Sequence, residues 1–220
     1  MTDILIIGGH GKVGLLAAPK LVSGGFTVTS LIRNPDQVAE IESLGATALV
    51  RDVTQLTPGE WDDLLAGYDV VVWTAGNGGR AGADVTYAVD RDAALAVIDS
   101  LERLRDAGTT PRYLNVSYAG ARHHTVPESD SFFAYADAKK TVDDRLDATA
   151  GLDYLILGPA TLTDEPAEGA APVTDDLDRS DAHTSRELVA DVIVEFAGRG
   201  DLGGQRTVEF VDGSSPVDEL

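Results

Sequence analysis

Residues 3–14 read DILIIGGHGKVG, an apolar run that ends in glycines and passes at once into a helical pattern. Four consecutive aliphatic residues, Ile4 to Ile7, with no polar alternation describe a strand buried on both faces. Gly9, Gly11 and Gly14 fit the spacing G-x-G-x-x-G, and Gly8, Gly11 and Gly14 fit the related G-x-x-G-x-x-G. Such spacing is weak on its own, but between a strand and a helix it has a mechanism. Glycines let the backbone turn tightly and approach a pyrophosphate, whose charge is met by the amides at the helix start. The plain alternative is a strand–helix packing turn that holds no ligand.

The same alternation runs outward from this turn. KVGLLAAPKLVSGG (12–25) has helical spacing, FTVTSLI (26–32) reads as a strand, and PDQVAEIESLG (35–45) opens with proline and closes with glycine, as helices do. ATALV (46–50) and DVVVWTAG (69–76) are further strands, with a short helix around PGEWDDLLAG between them. A long helix from about Asp84 to Ala107 precedes strand RYLNVS (112–117), and a helix from about Phe132 to Thr149 precedes strand DYLILG (153–158). SRELVADVIVEFAG (185–198) is helical, and QRTVEFV (205–211) reads as a last strand. Strands of continuous hydrophobicity alternating with helices specify a parallel sheet covered on both faces, and right-handed crossovers make it a doubly wound α/β fold. The reading is one Rossmann-type domain over residues 1–220, with a loop-rich substrate-side elaboration over 160–220. Ligands in such a sheet sit beyond the carboxyl ends of its strands.

Other strand ends carry compatible residues. Arg33, in LIRNP, stands after the second strand where a site for a free ribose hydroxyl would present a carboxylate, so it suits a 2′-phosphate. Lys12, in the first turn, adds a second cation; the bland reading of both is surface charge. Arg51–Asp52–Val53 follows the third strand, where the chain would pass an adenine. Thr74, Ala75 and Gly76 belong to WTAGNGG (73–79), a second glycine-bearing turn.

Composition bounds the rest. With 43% hydrophobic and 25% charged residues, the chain is ordinary for a globular protein. It has no stretch of membrane-spanning length and no basic leader, and the cytoplasm is the simplest location. The absence of cysteine excludes disulfides, thiolate metal sites and thiol nucleophiles. A net charge of −20 argues against nucleic-acid partners. The acidity is spread along the chain, with a dense patch in TDDLDRSD (174–181), and fits either a saline cytoplasm or genome composition. Adjacent His123 and His124 lack the carboxylate spacing of a metal site and read as loop residues, and Trp61 and Trp73 read as packing residues.

Further segments then fall in order: NVSYAGA (115–121), YADAKK (135–140), LGPATLT (157–163) and SRELVADVI (185–193). With GGHGKVG, LIRNP, RDV and WTAG, and with Asp90 in YAVD, this series resembles the short-chain dehydrogenase/reductase superfamily. More narrowly it is similar to the atypical NAD(P)-binding members related to flavin- and biliverdin-type reductases and NADPH-sensor proteins. The resemblance covers nearly the whole chain. It implies that His10, Lys12, Val13 and the glycines hold a dinucleotide, and that Pro159 and Ala160 lie near the nicotinamide. It also implies that Ser117 binds a substrate carbonyl and that Tyr135 serves as general acid or base. Lys139 would lower the tyrosine's pKa and hold the nicotinamide ribose. Gly158 and Ala160 depart from the arginine and glycine frequent in that later segment. The expectation is an oxidoreductase that prefers NADP(H), with NAD(H) possible, and reduces a small carbonyl or a quinone- or flavin-like acceptor. Two alternatives stand beside it: an NADPH-sensing binding protein without turnover, and an epimerase- or dehydratase-like enzyme. By spacing alone, the preferred reading of Tyr135 and Lys139 is an ordinary amphipathic helix face.

Overall fold

The computed structural model describes residues 1–220 apart from 77, 81, 175, 176 and 178–181, so Asp175, Asp176 and Asp178 of the acidic patch lie outside the described residues. The elements run β1 (Asp3–Ile7), α1 (Lys12–Ser23), β2 (Thr27–Ile32), α2 (Val38–Ser43), β3 (Thr47–Val50), α3 (Pro58–Leu65) and β4 (Val70–Trp73). Then come α4 (Ala83–Thr86), a π-helical stretch (Tyr87–Ala93), α5 (Ala94–Ala107), β5 (Arg112–Val116), α6 (Phe133–Ala148) and β6 (Tyr154–Pro159). The chain continues through β7 (Thr161–Thr163), β8 (Ala170–Pro172), β9 (His183–Ser185), α7 (Arg186–Gly198) and β10 (Thr207–Asp212). The main sheet has the order β3-β2-β1-β4-β5-β6-β10-β8. β1 therefore lies between β2 and β4, and the strand order reverses there, which opens a crevice at its carboxyl end.

Alternate side chains of each strand feed two cores. Ile4, Ile6, Val72, Leu114 and Leu155 pack with Ala17 and Leu21 of α1 and Ile193 and Phe196 of α7. Leu5, Ile7, Val71, Trp73 and Tyr113 face the other way, onto Trp61 of α3, Val97 and Leu101 of α5, and Leu146 of α6. Both tryptophans are packing residues, as read from the sequence. Two-sided burial is the reason the strands show continuous rather than alternating hydrophobicity.

Three features differ from the sequence reading. The sheet is not wholly parallel, because β8 adds an antiparallel edge to β10. β7 and β9 form a separate two-stranded parallel sheet within the C-terminal elaboration. The long helix is interrupted by its π-helical stretch, which carries Asp90 fully buried beside Gly76 of the turn after β4. Among the described residues no helix is long and apolar enough to cross a membrane.

Candidate functional site

The first turn is built around missing side chains. Gly8 has φ +91°, and a Cβ there would lie 2.5 Å from the Ala75 amide nitrogen. A Cβ on Gly9 would lie 2.4 Å from Ser30 Cβ, and one on Gly14 would lie 2.8 Å from the Gly9 carbonyl oxygen. These glycines let β1, β2, β4 and α1 close on one another. The Gly11 amide donates to the Gly8 carbonyl at 2.8 Å, and Thr74 Oγ1 donates to the Ile7 carbonyl at 3.1 Å. Gly11 is the N-cap of α1 and supplies no capping side chain. The first amides of the helix thus face the crevice, where an anion is favoured.

Three adjoining cavities run along the carboxyl ends of the strands. The first, about 290 Å³, is lined by Gly8, Gly11, Arg33, Arg51, Asp52 and Val53. The second, about 380 Å³, shares His10, Gly11, Thr74, Ala75 and Gly76 with the first and extends to Val13, Asp90, Ser117, Tyr135 and Lys139. The third, about 470 Å³, shares Ser117, Tyr135 and Leu162 with the second and is lined further by Tyr118, Phe132, Pro159 and Ala160. Gly9 and Gly14 lie beneath this groove as packing positions, while Pro159 and Ala160 belong to its far, apolar end.

The structure separates Lys12 from Arg33. Lys12 lines the second cavity, but its ammonium donates outside that lining to Asp164 Oδ2 at 2.7 Å, and Asp164 also accepts from Arg186 at 2.6 Å. The cation that shares a cavity with Arg33 is Arg51, whose Nη1 donates to the Val50 carbonyl at 2.9 Å. Asp52 is held by Thr54, whose backbone amide and hydroxyl donate to Oδ1 at 3.0 and 2.8 Å and pull its pKa below the usual carboxylate range. His10 Nε2 lies 2.7 Å from Glu40 Oε2, at the cavity wall. His124 is a loop residue: its Nδ1 accepts from the Val126 amide at 3.3 Å, and its ring packs edge-on against Phe133.

Ser117, Tyr135 and Lys139 converge where the second and third cavities meet. Ser117 follows β5, and its Oγ donates to Asp143 Oδ2 at 2.6 Å. Tyr135 stacks on Tyr118 (centroids 5.8 Å apart) and tilts against Phe132 (5.2 Å). Lys139, one helical turn on, sits 5.8 Å from the Tyr135 ring centroid, donates to the Val116 carbonyl at 2.9 Å and lies 3.9 Å from Asp90 Oδ1. The expected lowering of the tyrosine's pKa is not met. Burial, followed by the Asp90 carboxylate, raises the Tyr135 phenol well above its ordinary value, and the Lys139 ammonium is engaged by Val116 and Asp90. Burial likewise lifts Tyr118 to about 12, with Asp143 adding to it. Gly158 has a local reason as well. A Cβ there would lie 2.9 Å from Cγ of Glu209 on β10, and Glu209 Oε1 accepts from the Gly120 amide at 2.7 Å.

A sheet that reverses order at β1, with an open helix N-terminus and a continuous groove, defines a dinucleotide-binding protein of the doubly wound class. Residues 8–199 match the NAD(P)H-binding family, and the chain belongs to it. It is 29% identical over 221 residues to the uncharacterized sugar epimerase YhfK of Bacillus subtilis, covering 98% of this chain and 97% of that protein. A solved Bacillus halodurans structure, provisionally assigned as an NAD-dependent epimerase/dehydratase, is 26% identical with a TM-score of 0.81, covering 100% of this chain and 98% of that one. The Escherichia coli O157:H7 anaerobillin reductase ChuY shares the fold at 21% identity and a TM-score of 0.72, covering 97% of this chain and 98% of that one. The residues present fit such a cofactor. The tight glycine turn, whose Gly8 and Gly11 backbone lines the first cavity, and the α1 amides beside it suit a pyrophosphate.

Proposed function

We propose that this protein is an NADP(H)-dependent oxidoreductase of the atypical short-chain type that reduces a small carbonyl, or a quinone- or flavin-like acceptor, in the third cavity, whose largely apolar lining also carries Arg80 and Arg186. The observation that carries this reading is the position of Tyr135, on the wall common to the second and third cavities beside Ser117. A bound reduced nicotinamide supplies a hydride. The chain's own part is the proton. Burial and Asp90 keep the Tyr135 phenol protonated, which suits an acid in the reductive direction. Its hydroxyl proton goes to the acceptor oxygen as the C=O π bond opens, and Lys139 faces the phenolate that is left. Arg33 and Arg51 in the first cavity support a preference for the 2′-phosphate.

Tyr135→Phe removes only the hydroxyl, so cofactor affinity should hold while turnover falls by about 10²–10⁴-fold. Lys140→Met is the control, because Lys140 is paired outward with Asp144 at 2.5 Å. Wild-type turnover in Tyr135→Phe on a confirmed acceptor would overturn the proposal. The name of the Bacillus subtilis relative favours a second reading, epimerisation. Substrate conversion with no net change in nicotinamide absorbance would select it.

A further inference from the structure

Asp143 has no part in the reaction as proposed, yet it is 1% exposed and lies directly behind Ser117. It occupies the next position of the helical face that carries Tyr135 and Lys139, four residues beyond the lysine. Its two oxygens have different partners. Oδ1 accepts from Asn115 Nδ2 at 3.0 Å, and the Asn115 amide is turned that way because its own Oδ1 lies within 3.5 Å of the Tyr113 hydroxyl. An oxygen already receiving an N–H is a poor place for a proton. The titrating oxygen is therefore Oδ2, which is 2.6 Å from Ser117 Oγ.

A serine hydroxyl has one proton and two lone pairs. With Asp143 ionised, that proton is committed to Oδ2, and Ser117 shows the cavity only a lone pair. With Asp143 protonated, the carboxyl donates to Oγ, and the serine proton is released toward the cavity. We propose that Asp143 is a positioning residue that sets the hydrogen-bonding polarity of Ser117, so that the serine can donate to a substrate carbonyl only while Asp143 carries a proton. This rests on the carbonyl reduction proposed above.

The surroundings put this change in an accessible range. Burial raises the Asp143 pKa to about 6, against the Ser117 hydrogen bond and the positive charges of Lys139 on its own helix and Arg122 of the turn after β5. Asp144 on α6 adds to the rise. The phenols that feel its charge are Tyr113 and Tyr118 of the β5 segment, Tyr135 of α6 and Tyr154 of β6. All four have raised pKa values, so none titrates in the same window.

The test is kcat/KM for NADPH-driven reduction of phenanthrenequinone and nitrobenzaldehyde, from about pH 5 to about pH 8. In the wild type it should fall by about tenfold per pH unit above the carboxyl's pKa. Asp143→Asn keeps an acceptor for Asn115 and gives Ser117 a permanent N–H donor, so its profile should be flat near the wild-type acid plateau. Ser117→Ala should be slow at every pH, while Asp143→Leu, which removes the acceptor that holds the serine proton, should lose the inflection. If Asp143→Leu does not fold, the Asn variant alone decides. An Asp143→Asn profile that keeps the wild-type inflection overturns the inference and leaves carbonyl reduction standing. No wild-type turnover on either probe, or wild-type rates in Ser117→Ala, removes the proposed reaction and this inference with it.

Discussion

Arg33 enters the groove at the end of β2, in the cavity that Arg51 and Asp52 also line. A 2′-phosphate there gains charge-assisted hydrogen bonds of about 1.5–3 kcal/mol each, which a ribose hydroxyl does not. Arg33→Ala should therefore weaken NADPH binding by about ten- to a hundredfold and leave NADH nearly unchanged. Titration of both cofactors checks this, and equal wild-type affinities would count against it. Asp143 makes a prediction about stability. Its pKa rises from 3.8 to about 6 on folding, so between those values the folded protein binds more protons than the unfolded one. Its contribution is full below the lower value and is lost as pH rises through the upper, a change on the order of 3 kcal/mol. Thermal melts should show Asp143→Asn gaining on the wild type across that interval; a constant difference would show that the carboxyl does not titrate there. At this scale position was legible where a motif fixes it: Gly8 and Ser117 line the groove, while Gly14 lies beneath it. Arg51 was read only as part of an adenine segment, and Asp143, Tyr118 and Phe132 were not singled out. Their roles depend on how α6 and the β5 end pack together, which spacing along the chain does not encode.

Among the elements, the turn from β1 to α1 tolerates least. Gly14→Ala places a methyl 2.8 Å from the Gly9 carbonyl oxygen and 2.9 Å from that of Gly8, so the cradle itself has to move. The expected result is a loss of about 1–3 kcal/mol in stability together with loss of cofactor affinity. Gly59→Ala is the companion variant, because a Cβ there, inside α3, meets nothing within 4 Å and should stabilise slightly. Chemical denaturation and cofactor titration of both variants separate the cases, and a fully binding Gly14→Ala would contradict the cradle. The long elements were readable because two-sided burial and helical periodicity mark them clearly. β7, β8 and β9 were not, since each has three residues and exists only through its partner strand. The π-helical stretch was equally hidden, because its residues keep a helical pattern and only the added backbone width brings Asp90 against Gly76.

The whole molecule carries 37 acidic against 17 basic residues, a net charge of −20. Among the described residues, Lys20, Arg103, Arg122 and Arg145 are tied to carboxylates across elements, so cations are concentrated in ties and along the groove while the rest of the surface repels itself. The Debye length falls from about 10 Å at 0.1 M salt to about 3 Å at 1 M. The melting temperature should climb steeply between those concentrations, and a flat profile in both chloride and sulfate would leave genome composition as the source of the acidity. Two elements far apart in the sequence are also joined. α1, which bears the glycine cradle, packs on α7 through Ala17, Leu21, Ile193 and Phe196, and Lys20 donates to Asp191 at 2.5 Å. α1 is made well before α7 during synthesis, so the side chains it turns toward α7 stay uncovered until α7 follows. The helix whose first amides face the nucleotide cradle is thus fully packed only once α7 has been made.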